Sequence, residues 1–387
     1  MKLASVELLR LELELVRPVT TSSERHDSRP ILLVRLETDA GVGTGECSAL
    51  VRPTYTEEYA DGAERVLALH LLPKLCALGP ELPSVELAMA ALGEVRGNNM
   101  AKAAIEMALF DLWGVATGRP LSQMIGATRS SVAASATIGA VGVADALFEA
   151  DRAVAAGYRR LKVKVAPASG TAAAREDSPG KQGSGADAVE AVRAASPEVA
   201  IVADLNGALR LGDPMHEELI SRLDALGLAA LEEPLSPGDL LAYRELRQRL
   251  ATPIFLDESA GAFPEIDRAL ELGAADAIVL KPARLGGLER ALSALSSCCA
   301  AGTPALVGGL FETGVGRAAA IAFAALGDVS LPGDLGASDR YFSPDLTEAH
   351  VLDAAGCLAV PGAPGLGVAI DEEVVSRFTV RRHRFAL

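Results

Sequence analysis

Several common signals are missing from this 387-residue chain, and each absence argues against a class of protein. No apolar run reaches the roughly 18 residues of a membrane-spanning helix, and no charged-then-apolar leader pattern opens the chain. The formal net charge is -15 and no basic patch outweighs it, which argues against a nucleic-acid-binding surface. These absences predict a soluble cytoplasmic protein whose partner is neither a nucleic acid nor a membrane.

Metal-binding patterns built on cysteine or histidine are also missing. The five cysteines are scattered and lack the spacing of a metal finger, which fits free thiols in a reducing compartment. None of the five histidines falls at the end of a predicted barrel strand, which argues against the chemistry of a zinc hydrolase. The chemistry is therefore sought among lysines and carboxylates.

Residues 1–127 have the pattern of a small α+β domain. Residues 3–15 alternate apolar and polar as in a half-buried strand, and the polar stretch 16–29 predicts a loop. Residues 31–46 have the pattern of a hairpin with a turn at 38–41. Apolar residues at helical spacing then predict three helices, at Glu57–Leu72, Val85–Val95 and Met100–Thr117.

From residue 128 to 345 the pattern changes to short apolar runs that alternate with helical segments. The eight runs are Val132–Ile138, Leu161–Val165, Val199–Asp204, Ala229–Glu233, Pro253–Asp257, Ala277–Lys281, Pro304–Val307 and Val329–Leu331. Eight β units separated by helices predict a parallel (β/α) barrel. A doubly wound open sheet is the competing architecture, but it usually has fewer strands and a glycine-rich first turn that is not seen here.

Two segments depart from this alternation of apolar runs and helical segments. Residues 167–187, after the second predicted barrel strand, are rich in Gly, Ser, Ala and Pro, which predicts a flexible surface insertion. The barrel pattern ends at residue 345. We expect residues 346–387 to pack back on the N-terminal domain.

Charged residues stand at the carboxyl ends of the predicted barrel strands, where the active sites of such barrels lie. The second strand carries two lysines that share a face, the next three strands each end in an acid, and the sixth ends in a lysine. These residues are Lys162, Lys164, Asp204, Glu232, Asp257 and Lys281. Two lysines on one face of an apolar strand also predict lowered lysine pKa values, as a proton-abstracting base requires.

Three acids that converge in a low-dielectric barrel mouth cannot all stay ionised unless a cation neutralises them. A single acid after a strand is as readily explained as a helix cap. One acid on each of three successive strands, bracketed by lysines, favours a metal site instead. Oxygen ligands suit Mg²⁺, or Mn²⁺ in its place, and leave positions open for substrate oxygens.

A magnesium ion between two lysines predicts proton abstraction next to the carboxylate of a small-molecule substrate. The metal would bind that carboxylate and take up the charge of the enediolate that forms. Lys164 and Lys281 would face opposite sides of the α-carbon, and Lys162 would lower the pKa of Lys164 and help to bind the carboxylate. The lysine pair could racemise the substrate. Alternatively, one lysine removes the proton while the other steadies the anion as a β-group leaves.

This set of residues resembles the enolase superfamily in its muconate-lactonising branch, and more closely the o-succinylbenzoate synthase / N-acylamino acid racemase family. The resemblance runs nearly end to end. Its blocks are residues 100–102, 157–164, 252–259, 281–287, 308–317 and 331–341. It implies a (β/α)7β TIM barrel with an N-terminal α+β capping domain that the C-terminal tail completes.

The resemblance also implies roles for single residues. Lys164 and Lys281 match the acid/base pair. The Mg²⁺ ligands would be Asp204, Glu232 and Asp257. The substrate-contacting positions are matched by Thr137, Lys162, Asn206, Leu310 and Phe311. Arg284 matches an arginine associated with racemase-capable members, where it either biases the pKa of Lys281 or forms a salt bridge at the rim. Glu258 matches a residue near the metal.

Several departures from the family pattern matter, among them the insertion at 167–187. Position 205 is leucine and position 233 is glutamate, where alanine and glutamine are common in the family. The polar stretch 16–29, which would cover the distal end of the substrate, lacks the aromatic residues often found there.

The leading functional prediction is the synthase reaction, a dehydration in menaquinone biosynthesis, and the same residues could serve both activities. The alternative is racemisation of N-succinyl or other N-acyl amino acids. A cycloisomerase, a dipeptide epimerase and a non-catalytic acid-binding barrel are further alternatives, although the Asp-x-Asp that epimerases usually carry is missing at 333–336. Barrels with such capping domains often assemble, which favours a homo-oligomer.

Overall fold

The N-terminal part of the chain is an antiparallel meander covered by helices. The computed structural model describes residues 1–20, 25–139, 142–165 and 185–385. Three strands open the fold: β1 (Leu3–Thr20), β2 (Arg25–Thr38) and β3 (Gly41–Cys47). Five helices follow: α1 (Ala60–Val66), α2 (Leu72–Cys76), α3 (Val85–Leu92), α4 (Asn99–Thr117) and α5 (Leu121–Met124).

The loop predicted at 16–29 was wrong over the residues that the structure describes, because β1 and β2 continue through it as a hairpin. Val19 pairs with His26, and Thr20 pairs with Arg25. Antiparallel pairs tolerate polar residues on a face that meets water, so the polar composition did not exclude strands. Residues 21–24 of the predicted loop lie outside the described residues.

The first helical region also runs further than predicted. A π-helical turn at Leu67–Leu71 joins α1 to α2, so that the helix passes Pro73 and ends at Cys76. Pro73 lies in the first turn of α2, and the wider π turn before it accommodates a residue that has no N–H to donate. The longest helix, α4, packs on β3 where Gly43 and Gly45 leave no Cβ to collide with its backbone.

The middle of the chain forms a parallel sheet of seven strands in the order β11-β10-β9-β8-β7-β6-β5. The strands introduced here are β4 (Ser131–Ala133), β5 (Ala136–Ile138), β6 (Arg160–Lys164), β7 (Ala200–Asp204), β8 (Ala230–Glu232), β9 (Ile254–Leu256), β10 (Ala277–Leu280) and β11 (Ala305–Val307). The helices are α6 (Val143–Ala155), α7 (Gly185–Ala195), α8 (Pro214–Asp224), α9 (Leu240–Arg249), α10 (Phe263–Leu272), α11 (Pro282–Leu285), α12 (Leu288–Ala301) and α13 (Gly314–Ala324). The predicted barrel architecture is confirmed.

The eighth predicted strand is not regular, yet its segment bridges the two edges of the sheet. On one side the backbone N–H of Asp334 donates to the carbonyl of Val307 at 2.8 Å. On the other side the N–H of Ser135 donates to the carbonyl of Leu335 at 3.0 Å. Pro332 lacks an N–H, which explains why this segment pairs only in part.

The C-terminal residues pair with both earlier parts of the chain. They form β12 (Cys357–Ala359), α14 (Glu372–Phe378) and β13 (Thr379–Phe385). Strand β12 pairs with β4, and β13 adds to the outer edge of β1. Of the predicted insertion, residues 167–184 lie outside the described residues, and 185–187 begin α7. Within the described chain, none of the helices could span a membrane.

Candidate active site

A cavity of about 310 Å³ opens at the carboxyl ends of the barrel strands. All the sequence-predicted site residues except Glu232 and Arg284 line it. Those lining residues are Thr137, Lys162, Lys164, Asp204, Asn206, Asp257, Glu258, Lys281, Leu310 and Phe311. The segment after β3 contributes Leu50, Thr54 and Tyr55, so the N-terminal domain forms part of the wall.

Lys162 lies among the carboxylates rather than apart from them. Its Nζ donates to Glu232 Oε1 and lies 3.2 Å from both Asp204 Oδ2 and Asp334 Oδ2. Burial opposes the charge of Lys162, but these carboxylates outweigh burial and raise its pKa well above the ordinary lysine value. The predicted lowering of the lysine pKa therefore does not hold for Lys162, because the neighbouring acids matter more than the neighbouring lysine.

Lys164 stands two residues further along β6, on the same face. Its Nζ donates to Asp204 Oδ2 at 2.8 Å and to Asn206 Oδ1 at 2.9 Å. Asn206 has a φ of 45° and also donates from Nδ2 to Glu258 Oε1 at 2.8 Å. Asn206 lies two residues after the end of β7, and its side-chain amide lies between Lys164 and Glu258.

Lys281 enters the cavity from β10, on the far side of the sheet from β6. Its Nζ lies 2.7 Å from both Asp257 Oδ2 and the Tyr55 hydroxyl. Arg284 holds the other oxygen of Asp257, at 2.8 Å, and donates to the carbonyls of Asp257, Ala260 and Val279. Arg284 is thus a buried support behind Asp257, and the alternative of a simple salt bridge at the rim does not describe it.

The three predicted metal ligands are fully buried and follow neighbouring strands. Asp204 and Glu232 stand opposite each other in the β7–β8 register, and Asp257 directly follows β9. Burial raises the pKa of Glu232 well above the ordinary value. For Asp257, the cations of Lys281 and Arg284 overcome burial and hold the pKa well below its usual range. Of the three acids, Glu232 is thus the one whose burial is not offset by its cationic neighbours.

The donor set fits a hard divalent cation, although the carboxylates do not surround a closed metal site. Within the described ranges, no three acid, histidine or cysteine side chains are grouped closely enough to hold a metal ion. The Lys162 ammonium occupies the space between Asp204 and Glu232 instead. Glu232 Oε2 is buried and has no hydrogen-bond partner among the residues that the structure describes, as expected of an oxygen that serves a cation.

Glu233 and Leu205, two of the departures from the family pattern, do not line the cavity. Leu205 is buried in the core between the sheet and its helices. Glu233 accepts from the N–H groups of Asp257 at 2.8 Å and Ser259 at 3.1 Å. Burial and the nearby charge of Glu258 raise the pKa of Glu233 to about 8. Glu233 therefore fixes the chain around Asp257 rather than contacting a substrate.

Sequence reasoning missed several residues that line the cavity. They are Leu50, Thr54, Tyr55, Pro237, Gly309, Arg317, Asp334 and Tyr341. Asp334 could have been found, because it follows the eighth apolar run just as the other acids follow theirs. Tyr55 and Tyr341 carry no such signal, since both come from irregular segments.

Leu310 and Phe311 form the apolar side of the cavity. Phe311 has a φ of 55°, an unusual value for a bulky residue, and its ring lies 5.4 Å from that of Tyr341 and 6.3 Å from that of His26. Arg29 of β2 donates to the carbonyl of Leu310 at 3.2 Å. The hairpin of the N-terminal domain therefore supports the backbone that presents these two side chains.

Comparison with known proteins agrees with this architecture. Residues 5–126 match the mandelate racemase / muconate lactonizing enzyme N-terminal domain, and residues 145–374 match the enolase C-terminal domain-like family. The chain is 38% identical over 384 residues to an N-succinylamino acid racemase of an Amycolatopsis species, covering 99% of each chain. It is 36% identical to the o-succinylbenzoate synthase of Geobacillus stearothermophilus, covering 97% of this chain and 95% of that one.

A solved structure gives the same result. A probable mandelate racemase from Alicyclobacillus acidocaldarius superposes with a TM-score of 0.85 at 37% identity, covering 99% of both chains.

Proposed function

This chain belongs to the enolase superfamily of enzymes, and we propose that it removes a proton from the carbon next to a substrate carboxylate. The observation that carries the proposal is the pair of lysines in one cavity. Lys164 comes from β6 and Lys281 follows β10, and each ammonium group is hydrogen-bonded to a carboxylate. Two proton-carrying groups on separate strands can serve two faces of one carbon.

The residues of the cavity have separate roles in this reaction. Lys164 and Lys281 take up and return the proton, and their carboxylate and hydroxyl partners hold each Nζ in place. The apolar side of the cavity, formed by Leu310 and Phe311, excludes water from the reacting carbon. Asp204, Glu232 and Asp257 would hold Mg²⁺, which when bound supplies positive charge to the carboxylate whose α-proton leaves.

Two substrates fit this chemistry, and the curated relatives carry both names. In the synthase reaction, one lysine removes the proton and the substrate, a cyclohexadiene carboxylate, loses water to give o-succinylbenzoate. In racemisation of an N-succinylamino acid, one lysine removes the α-proton and the other returns a proton on the opposite face. In the dehydration the second lysine would steady the anion, so the same lysine pair is compatible with both activities.

Isotope exchange tests the proposal. Each enantiomer of an N-succinylamino acid is incubated in D₂O with Mg²⁺, and the synthase substrate is assayed for dehydration beside it. We expect Lys164→Ala and Lys281→Ala each to abolish racemisation. In each variant the rate of deuterium exchange should also fall roughly 10²-fold or more for one of the two enantiomers. Lys74→Ala, which removes a lysine outside the cavity, is the control. A wild-type enzyme that neither exchanges nor dehydrates would overturn the proposal.

Calorimetric titration tests the metal site independently of turnover. Glu232→Gln removes one charged ligand and should weaken Mg²⁺ binding by about tenfold or more. The exposed Glu57→Gln is the matched control and should bind Mg²⁺ as the wild type does. Equal affinities in the wild type and Glu232→Gln would contradict the assignment of Glu232 as a ligand.

A further inference from the structure

A buried ion pair stands beside residues 309–311, which line the cavity. Arg317, in the first turn of α13, has its Nη2 atom 2.9 Å from Glu312 Oε2, and the two side chains are 1% and 6% exposed. Among the residues that the structure describes, Nε and Nη1 of Arg317 have no hydrogen-bond partner. Glu312 is therefore the acid that pairs with this buried cation, and neither residue has a role in the reaction proposed above.

Two consecutive glycines lie between this arginine and Lys281. A Cβ added at Gly308 would lie 2.5 Å from Lys281 Cε. A Cβ added at Gly309 would lie 3.1 Å from Arg317 Nη1. The backbone of the glycine pair is thus packed between the stem of Lys281 and the guanidinium of Arg317. A shift of the guanidinium would reach the backbone on which Lys281 packs, because close-packed groups leave little space to absorb it.

Glu312 also holds the backbone of the residues that follow the two glycines. Its Oε1 accepts from the N–H of Leu310 at 2.8 Å, while its Oε2 meets Arg317. The next residue, Phe311, has a φ of 55°. A bulky residue keeps such a left-handed conformation only where its surroundings fix it, and the Glu312 carboxylate is one of the groups that do so.

We propose that the Arg317–Glu312 pair positions Lys281. The pair fixes residues 308–311, and the stem of Lys281 packs on that segment. The inference rests on the proposed function, in which Lys281 exchanges the proton on one face of the substrate. Lys164 comes from β6, and its hydrogen-bond partners lie outside the segment. Loss of the pair should therefore slow proton exchange on the Lys281 face and spare the Lys164 face.

Deuterium exchange of separate N-succinylamino acid enantiomers tests this role. Arg317→Met keeps a long side chain but removes the charge, and it should lower kcat about tenfold for the enantiomer that Lys281→Ala also slows. KM for that enantiomer, and both constants for the other enantiomer, should stay within about threefold. Arg317→Lys keeps the charge and should recover part of the loss. The exposed Arg268→Met on α10 is the matched control and should change neither enantiomer.

Glu312→Gln is the second variant, and it keeps the test valid if Arg317→Met does not fold. The amide keeps an oxygen for the Leu310 N–H but loses the charge that pairs with the guanidinium. We expect it to slow the same enantiomer about fivefold. The double variant should be no slower than Arg317→Met alone, because the two side chains act as one unit.

Crystal structures of the wild type and the folded variants separate this inference from the proposed function. In the variants, Lys281 Nζ should leave its place 2.7 Å from Asp257 Oδ2 and from the Tyr55 hydroxyl. If the wild type neither exchanges nor dehydrates, the proposed function fails, and the structures still test the positioning. Arg317 itself lines the cavity, so a guanidinium that touched the substrate directly would raise KM for both enantiomers. That result, equal slowing of both enantiomers, or a Lys281 that stays in place would each overturn the inference.

Discussion

The hydroxyl of Tyr55 connects the two cations that support Asp257. It lies 2.7 Å from Lys281 Nζ, accepts from Arg284 Nη1, and lies 3.3 Å from Asp257 Oδ1. The Lys281 ammonium also lies 4.8 Å from the centre of the Tyr55 ring. Tyr55 therefore fixes the direction in which Lys281 points and acts as a positioning residue.

Tyr55→Phe should slow exchange on one face of the substrate more than on the other. The variant keeps the ring but loses the hydroxyl, so Lys281 retains only Asp257 as a partner. We expect about a tenfold loss in exchange of the enantiomer that depends on Lys281, and a smaller effect on the enantiomer that depends on Lys164. The exchange assay with separate enantiomers measures this. Tyr59→Phe is the control, and equal slowing of both enantiomers would argue against a positioning role.

Residues that follow strands could be predicted from the sequence, and residues in irregular segments could not. Lys162 and Lys164 share a face because of the two-residue period of a strand, and the acids were found because parallel strands end at one rim. Tyr55 reaches the cavity from an irregular segment, and such a segment has no residue period from which the position of a side chain can be predicted. The orientation of Arg284, buried behind Asp257 rather than at the rim, depends on packing that the spacing does not encode.

At the scale of elements, buried carboxylates of the N-terminal domain bind the first residues of two barrel helices. Glu106 of α4 accepts from the N–H groups of Leu288 and Glu289, at the start of α12. Glu46 of β3 accepts from Gly316 N–H at 2.9 Å and from Thr313 Oγ1 at 2.6 Å, at the start of α13. The first N–H groups of a helix have no acceptor within the helix, and these side chains accept from them, so the contacts join the two domains.

Glu106→Ala should destabilise the protein because it leaves the buried N–H groups of α12 without an acceptor. The expected loss in free energy of unfolding is about 1–3 kcal/mol, measured by urea denaturation. Glu106→Gln keeps an acceptor oxygen and should lose less. The exposed Glu86→Ala is the control for removing an acid elsewhere in the domain. A Glu106→Ala protein as stable as the control would contradict this role.

Glu46 should make stability depend on pH in a definite direction. Burial raises its pKa to about 7 from the ordinary 4.5, so between these pH values the folded protein keeps a proton that the unfolded chain has released. The contribution of Glu46 is therefore fully present below pH 4.5 and falls as pH rises to about 7. The wild type should lose about 3 kcal/mol relative to Glu46→Gln across this window. Urea denaturation of both proteins at matched pH values checks the sign, and a constant difference would refute it.

Three elements differ from their predictions, the first because of tertiary pairing and the other two because of the backbone around a proline. The polar residues of the β1–β2 hairpin form strands because their backbone groups pair with each other and with the segment of Tyr341. Pro73 does not end its helix, because the π-helical turn at Leu67–Leu71 accommodates it. The segment around Pro332 bridges the barrel edges with few bonds, although its apolar run predicted a full strand.

At the scale of the whole molecule, the site lies where the barrel and the N-terminal domain meet. The barrel supplies the lysines and carboxylates, and the N-terminal domain supplies Leu50, Thr54 and Tyr55. The alternation of apolar runs and helices predicted the barrel, because that pattern extends over more than two hundred residues and averages out local errors. The way one domain covers the other depends on single contacts such as Arg29 with Leu310, which no periodic pattern reveals.

The C-terminal strand protects an edge of the N-terminal sheet rather than filling a core. Strand β13 pairs with β1 from Phe385 opposite Val6 to Thr379 opposite Leu11, and most of its side chains are exposed. Arg381 and His383 also reach the buried carboxylate of Glu64, at 2.9 and 3.0 Å. An uncovered edge strand offers free backbone groups to another chain. Edge protection is thus the main contribution of this segment.

Ending the chain after Phe378 should therefore cause association before it causes loss of activity. We expect the truncated protein to sediment as larger species than the full chain and to unfold a few degrees lower, because the β1 edge and Glu64 lose their partners. Activity per folded molecule should remain, since no residue of β13 lines the cavity of the candidate site. The full-length double variant Arg382→Ala and Arg384→Ala keeps the strand and is the control. A truncated protein with unchanged sedimentation and midpoint would show that β13 does not protect the edge of β1.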